Sequence, residues 1–327
     1  MRICIFGAGA VGGYLAARLA HAGRDVSLVA RGAHLDAIRR DGLALETLSE
    51  RFTVRPKASA DPAELGPQDV VIVSTKTTAL PDIAPRLAPL LGPDTPVVFA
   101  VNGVFWFYAD GMADPAPDAS RVDPGGVLHR AIGVERAMGM VIYSPNTVTA
   151  PGHVHNTGKA NRFVLGEARG GLSDRLTALT EALSADGYGM TATDEIRLEM
   201  WRKLTRNVPS TLLCGLTGTP TADIYIRPEL RALADRVIAE TKRVAAAHGF
   251  AELGIDDVAD RAHSAGLRHK PSSLQDLERG RPVEIDNQLA IIQDFARQSG
   301  TPTPDLDVLL GLLVVRAKAM GSYTGGL

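Results

Sequence analysis

Cysteine is nearly absent from this chain, with Cys4 and Cys214 the two instances in 327 residues. Cys4 falls in an apolar strand pattern and Cys214 in an apolar helical one. They read as buried thiols rather than a disulfide or a metal pair, so no metal is expected and a reducing cytoplasm suits the chain. Net charge is equally scarce. The formal balance is -2 at pH 7, which gives no general attraction to nucleic acid or to an acidic membrane surface. No stretch approaches the roughly eighteen uncharged apolar residues of a membrane span. The N-terminal apolar run is broken by glycines and lacks the small-residue cleavage pattern of a signal peptide. Aromatic residues make up only 5% of the chain, which makes the run Phe105, Trp106, Phe107, Tyr108 conspicuous. The remaining composition is that of a soluble globular protein, and the length allows two domains with a sizeable core.

Arg2 to Phe6 reads as a buried strand, followed by Gly7, Ala8, Gly9, Ala10, Val11 and Gly12, then by a helical run from Tyr14 to Ala22 closed by Gly23. Asp25 to Ala30 is the next strand. A bare GxGxxG is weak, but the same pattern set between a strand and a helix, with a second strand on schedule, marks a βαβ dinucleotide fold. Gly7 permits the tight turn, Gly9 lets backbone approach a pyrophosphate, and Gly12 lets helix and strand pack closely. The helix N-terminus then presents free N–H groups to the phosphates. An NAD site usually carries Asp or Glu at the end of the second strand. That acid is missing here, and Arg31 stands nearby instead. A guanidinium suits a ribose 2′-phosphate through bidentate geometry and permanent charge, so NADP(H) is the expected cofactor. The plain alternative is a solvated loop arginine.

Gly42 to Pro56 reads as a hairpin or edge pair. Asp69 to Ser74 and Thr95 to Val101 are further buried strands, with Lys76 and Asn102 just past their carboxyl ends, where an open parallel sheet binds ligands. Lys76 is equally well a surface residue, and Asn102 before Gly103 also fits a turn. The aromatic run and the segment to Pro124 read as a long loop, either covering a cleft or pinned to the core by its own aromatics. Ser173 caps a helix. From 194 onward the pattern is helical, so the expected domains are 1–192 and 193–327. Lys203, Asn207 and Thr211 follow one another at four-residue spacing and share a helix face, with Pro209 between them expected to bend that helix locally.

These features occur in one order: the glycine motif, Arg31, Lys76, Asn102 with Gly103, Lys203 and Leu204 with Asn207, and Pro271 to Asp276 followed by Gly280 to Asp286. Together they resemble the ketopantoate reductase (2-dehydropantoate 2-reductase) family over nearly the whole chain. The resemblance implies an α/β fold, with an N-terminal Rossmann-type dinucleotide-binding domain, an all-helical C-terminal domain, and NADPH-dependent reduction of a 2-keto acid to a 2-hydroxy acid. It implies Lys203 as the catalytic lysine and Glu284 as the acid at the substrate hydroxyl and nicotinamide side. Asn102 and Asn207 become orienting amides, Ser272 a substrate carboxylate contact, and Arg31 and Lys76 NADPH contacts. Thr211 stands where the family usually has a second Asn, and the segment 105–124 is longer and more aromatic than usual, so the reaction type is better defined than the substrate. A reductase of another keto acid and a non-catalytic NADP-binding redox sensor are the alternatives. The apolar faces of the C-terminal helices would also serve a homodimer.

Overall fold

The computed structural model describes residues 1–255, 266, 268 and 270–326. The chain forms two compact units, Met1–Met112 with Asp123–Ile196, and Ala113–Val122 with Arg197–Leu327. The expected boundary after residue 192 thus falls inside a strand, and a short internal segment belongs with the second unit.

The first unit is built on an eight-stranded sheet. In chain order its strands are β1 (Arg2–Phe6), β2 (Asp25–Val29), β5 (Lys57–Ser59), β6 (Val70–Val73), β7 (Val97–Phe99), β8 (Ala137–Tyr143), β11 (Arg162–Glu167) and β12 (Gly189–Thr193). The spatial order is β12-β11-β8-β7-β6-β1-β2-β5. Strands β5, β2, β1, β6, β7 and β8 run parallel, and β11 turns antiparallel to β8. The near-continuous apolar runs of β1, β2 and β6, buried after their first residue or throughout, are those of strands covered on both faces. A second sheet, ordered β4-β3-β10-β9, is made by β3 (Leu43–Glu46), β4 (Arg51–Val54), β9 (Asn146–Ala150) and β10 (His153–Asn156). Helix α1 (Ala10–His21) packs against it, and a Cβ on Gly13 would stand 2.7 Å from Val154 Cγ2. Shorter helices are α2 (Gly32–Asp41), α3 (Leu80–Ile83), α4 (Val127–Ala131) and α5 (Asp174–Ala182). Ser173 caps α5 by accepting from the Leu176 N–H at 3.1 Å.

The four adjacent aromatics are buried in this unit. Phe105 stacks on Phe107 with centroids 5.1 Å apart, and Trp106 meets Phe99 and His129 edge-on. They pin the loop to the core. Both cysteines are free and buried. Burial pushes the Cys4 thiol up to about 12 and the Cys214 thiol up to about 11.

The second unit is helical: α6 (Ile196–Thr217, whose first residue belongs to the first unit), α7 (Thr221–Ile226), α8 (Pro228–Ala247), α9 (Ser272–Glu278), a π-helical turn (Asp286–Ala290), α10 (Ile291–Gln298) and α11 (Pro304–Ala319). Helix α6 continues through Pro209 to Thr217. Trp201, Leu212, Leu213, Val237, Phe295, Leu306 and Leu313 fill the core. Gly215 brings α6 close to α11, since a Cβ there would lie 2.8 Å from Leu313 Cδ1. Thr303 makes no side-chain cap for α11. The buried Glu240 carboxylate on α8 does so instead, accepting from the N–H groups of Asp305 and Leu306 at 3.1 and 2.9 Å.

Candidate active site

Strand order reverses at β1 and β6, and in such sheets ligands bind beyond the carboxyl ends at the reversal. The glycine turn leaves β1 there. Gly7 adopts φ +107°, its N–H donates to Val29 O at 2.9 Å, and its carbonyl accepts from Ser74 Oγ at 2.7 Å. A Cβ on Gly12 would stand 2.1 Å from Gly7 O and 2.2 Å from Ser74 Oγ, so only glycine allows this helix-to-strand approach. At Gly9 the opposite holds: a Cβ would meet nothing within 4 Å. Gly9 is the N-cap of α1 and supplies no side-chain acceptor, and Ala10 and Val11 begin the helix. The first-turn N–H groups therefore lie at an open backbone cradle, which fits a pyrophosphate. Beside Gly7, buried Thr75 Oγ1 has no hydrogen-bond partner among the described residues.

Around this turn the structure places Lys76, half-buried just past β6, and Asn102, half-buried just past β7 and followed by Gly103 at φ +90°. Arg31 follows β2, the neighbour of β1, and is exposed as the N-cap of α2. One residue of this region gave no signal in the sequence. His34 Nε2 lies 2.6 Å from Ala8 O, and its Nδ1 accepts from the Gly152 N–H at 2.9 Å. A carbonyl on one side and an N–H on the other select the neutral tautomer protonated on Nε2. Burial lowers the pKa of His34 against the opposing Ala8 bond. The imidazole thus ties the glycine turn to α2 and to the turn between β9 and β10.

The second group of residues lies on the helical unit. Lys203 is half-buried on α6. Burial pulls its ammonium down from 10.5 to about 7, opposed by the negative charge of Glu284 and then of Glu199. Glu284 precedes the π turn and accepts from Gln288 Nε2 at 3.4 Å. Glu199, which is buried, pairs with Arg202 at 3.1 Å. Asn207 follows one turn after Lys203 and is half-buried, and Thr211 another turn on is buried. Ser272 opens α9 and is exposed. The next residue, Ser273, is buried with a hydroxyl that has no partner among the described residues. Among the predicted residues, the structure brings Lys203 and Glu284 within electrostatic reach of each other and leaves Ser272 at the surface. Glu199, four residues before Lys203, and Gln288, four after Glu284, were open to the same helix-spacing reading as Asn207, whereas Ser273 carried no signal beyond its place next to Ser272.

The π turn is fixed from two sides. Asp286 accepts from Arg121 Nη1 at 3.0 Å and from the Tyr323 hydroxyl at 2.9 Å, and Arg121 also binds Asp294 through Nε and Nη2. Arg121 comes from the segment Ala113–Val122, which Asp118 further joins to Gln298 by two hydrogen bonds. The ends of that segment are anchored in the first unit by His129, whose ring nitrogens face Asp123 at 2.7 Å and Asp110 at 2.9 Å.

A parallel sheet with a glycine-rich turn at its switch point, joined to a helical unit that carries a lysine within electrostatic reach of a carboxylate, defines a Rossmann-type oxidoreductase with a separate all-helical unit. The chain belongs to the ketopantoate reductase PanE/ApbA family: the family's N-terminal model matches residues 3–170 and its C-terminal model residues 195–317. It is 42% identical to a 2-dehydropantoate 2-reductase of Mesorhizobium japonicum, over 99% of this chain and 100% of that protein. The crystal structure of 2-dehydropantoate 2-reductase from Geobacter metallireducens matches with a TM-score of 0.84 at 29% identity, covering 96% of this chain and 99% of that one. D-Mandelate dehydrogenase, solved with NADH and anilino(oxo)acetate, shares the fold at a TM-score of 0.84 and 21% identity, covering 99% of this chain and 100% of that one. No described helix is long and apolar enough to cross a membrane.

Proposed function

We propose that this protein reduces 2-dehydropantoate to pantoate with NADPH, and that Lys203 is the general acid. The reading is carried by Lys203 standing within electrostatic reach of both Glu284 and Glu199, with burial drawing its ammonium down to about 7 against them. A donor whose pKa lies near the working pH is well matched to proton transfer. When bound, NADPH supplies a hydride to the keto carbon, and negative charge grows on the carbonyl oxygen as the C=O π bond opens. Lys203 stabilises that oxygen and gives it a proton, which leaves a hydroxyl on the product and a neutral amine on the enzyme. Glu284 keeps Lys203 protonated before the step and accepts from the product hydroxyl after it. Asn207 and Asn102 orient substrate and cofactor, and Ser272 donates to the substrate carboxylate.

The backbone of Gly7 to Gly12 and the α1 N-terminus hold the pyrophosphate, with Lys76 beside them, and Arg31 takes the 2′-phosphate. Exposed Arg31 after β2, with no acid at that strand end, supports NADP(H) over NAD(H). A homodimer belongs to the same reading, supported by an exposed apolar face on α11. So does a cytoplasmic location, supported by two unpaired buried thiols.

NADPH absorbance followed with 2-dehydropantoate and a small set of other 2-keto acids tests the reaction. Turnover of 2-dehydropantoate supports it. Turnover of a different acid alone favours a second reading, a related reductase, which buried Thr211 in the family's usual Asn position motivates. Cofactor binding with no turnover of any acid sinks both. Arg31→Ala raises KM for NADPH far more than for NADH, and equal effects would remove the 2′-phosphate role.

A further inference from the structure

The last residues of a folded chain are loose unless something ties them down. In this chain they are tied to the segment that carries Glu284. Helix α11 ends at Ala319. Beyond it Gly321 adopts φ +67°, its N–H donates to the Lys318 carbonyl at 3.0 Å, and the Ser322 N–H donates to the Ala317 carbonyl at 2.8 Å. That pair of bonds closes the helix and reverses the chain, and the left-handed residue it needs is glycine. The reversal sends Ser322 and Tyr323 inward, where they are 1% and 7% exposed.

These two residues hold the chain on either side of Glu284. The Ser322 carbonyl accepts from the Val283 N–H at 2.9 Å, one residue before it. The Tyr323 hydroxyl donates to Asp286 Oδ1 at 2.9 Å, two residues after it. The phenol is itself packed in place. Lys318 Nζ lies 6.0 Å from its ring centroid. A Cβ on Gly325 would stand 2.4 Å from its oxygen and 2.5 Å from Cζ, so the bare backbone of a glycine crosses the ring. Burial and the Asp286 carboxylate push the Tyr323 hydroxyl above its ordinary pKa, so it remains a donor across neutral pH. Asp286 has a second donor in Arg121, which Asp294 shares, and Asp294 also pairs with Arg297 at 3.3 Å. Arg121 acts after Glu284. The C-terminal turn supplies a tie before it as well, and two points fix the direction of a side chain better than one.

We propose that the C-terminal turn is a positioning device for Glu284, with Tyr323 as the positioning residue that holds the start of the π turn and so keeps the Glu284 carboxylate within reach of Lys203. The proposal rests on the reading of Lys203 and Glu284 given above. The charges that hold Lys203 protonated against burial are Glu284 first and then Glu199, which Arg202 pairs. Loosening Glu284 weakens the larger of them. Tyr323→Phe removes one oxygen and keeps the ring. In this variant the descending limb of the kcat/KM profile for keto-acid reduction moves to lower pH, in the direction of Glu284→Gln and by less. At neutral pH kcat falls about three- to tenfold, the worth of about one net hydrogen bond. Made in the Glu284→Gln protein, the same change leaves the limb where Glu284→Gln alone puts it and lowers kcat little further, because residues acting through one another are not additive. An equal effect in both backgrounds overturns the proposal, since a contact that only supports the fold weakens both proteins alike. A limb that Tyr323→Phe leaves in place overturns it too. If Glu284→Gln by itself fails to move the limb, the Glu284 reading falls first and the proposal with it.

Discussion

A lysine whose ammonium titrates near neutrality is a poor structural residue and a good proton donor. With Lys203 drawn to about 7, its protonated fraction falls as pH rises through that value. Keto-acid reduction therefore slows above about pH 7, and the reverse oxidation, which needs the neutral amine, gains over the same range. Glu284 opposes the downward shift, so Glu284→Gln moves the descending limb of the kcat/KM profile to lower pH. A limb that stays in place would show that the carboxylate does not act on Lys203. Lys203→Met should lose roughly two to four decades in rate without lowering the thermal midpoint, because a costly half-buried charge goes with it. His34 acts differently. It touches the carbonyl of Ala8 rather than any reacting group, so it positions the glycine turn. His34→Ala is expected to raise KM for NADPH about two- to tenfold, the worth of about one net hydrogen bond, with kcat nearly unchanged. His34→Gln, which keeps a donor and an acceptor, recovers much of the loss. Equal changes in kcat and KM would point to general damage instead.

At the scale of elements, the segment Ala113–Val122 deserves a mechanical reading. His129 between two carboxylates holds its ends, and Arg121 fixes Asp286, two residues past Glu284. Burial opposes protonation of His129, but the bonds to Asp123 and Asp110 outweigh it and raise its pKa above 6.5. A raised folded-state pKa contributes stability in full below the unfolded value, and that contribution is lost as pH rises through the folded one. The stability difference between the natural protein and His129→Gln is thus largest near pH 6 and shrinks toward higher pH in chemical denaturation. A difference constant across that range would exclude the imidazolium clamp. None of this was legible in the sequence, because Asp110, Asp123 and His129 are separated by loop residues without periodicity. The π turn after Glu284 was equally hidden, since no residue pattern distinguishes it from an α-turn. Strand β12 escaped because its Gly-Met-Thr-Ala-Thr sequence is a polar edge with no apolar run. The βαβ unit, the Ser173 cap and the shared face of Lys203, Asn207 and Thr211 were legible because each follows from local spacing.

At the scale of the whole molecule, composition and periodicity carried the two-unit plan, while the path of the chain between the units did not. The chain passes from one unit to the other after Met112, after Val122 and after Ile196. A contiguous 197–327 piece would lack Arg121, leaving Asp286 and Asp294 without that cation. Neither unit is complete as one stretch of sequence, which argues for coupled unfolding although each has its own core. The predicted cofactor residues Gly7 to Gly12, Arg31, Lys76 and Asn102 all lie in the first unit. Ligand at about a hundred times its dissociation constant stabilises the state it binds by about 2.7 kcal/mol. Calorimetry with NADPH should then show one endotherm shifted upward as a whole, because melting the second unit removes the segment tied to the first. Two endotherms, of which NADPH moves only one, would show that the three crossings do not couple the units and that the strap held by His129 and Arg121 is a tether rather than a structural link.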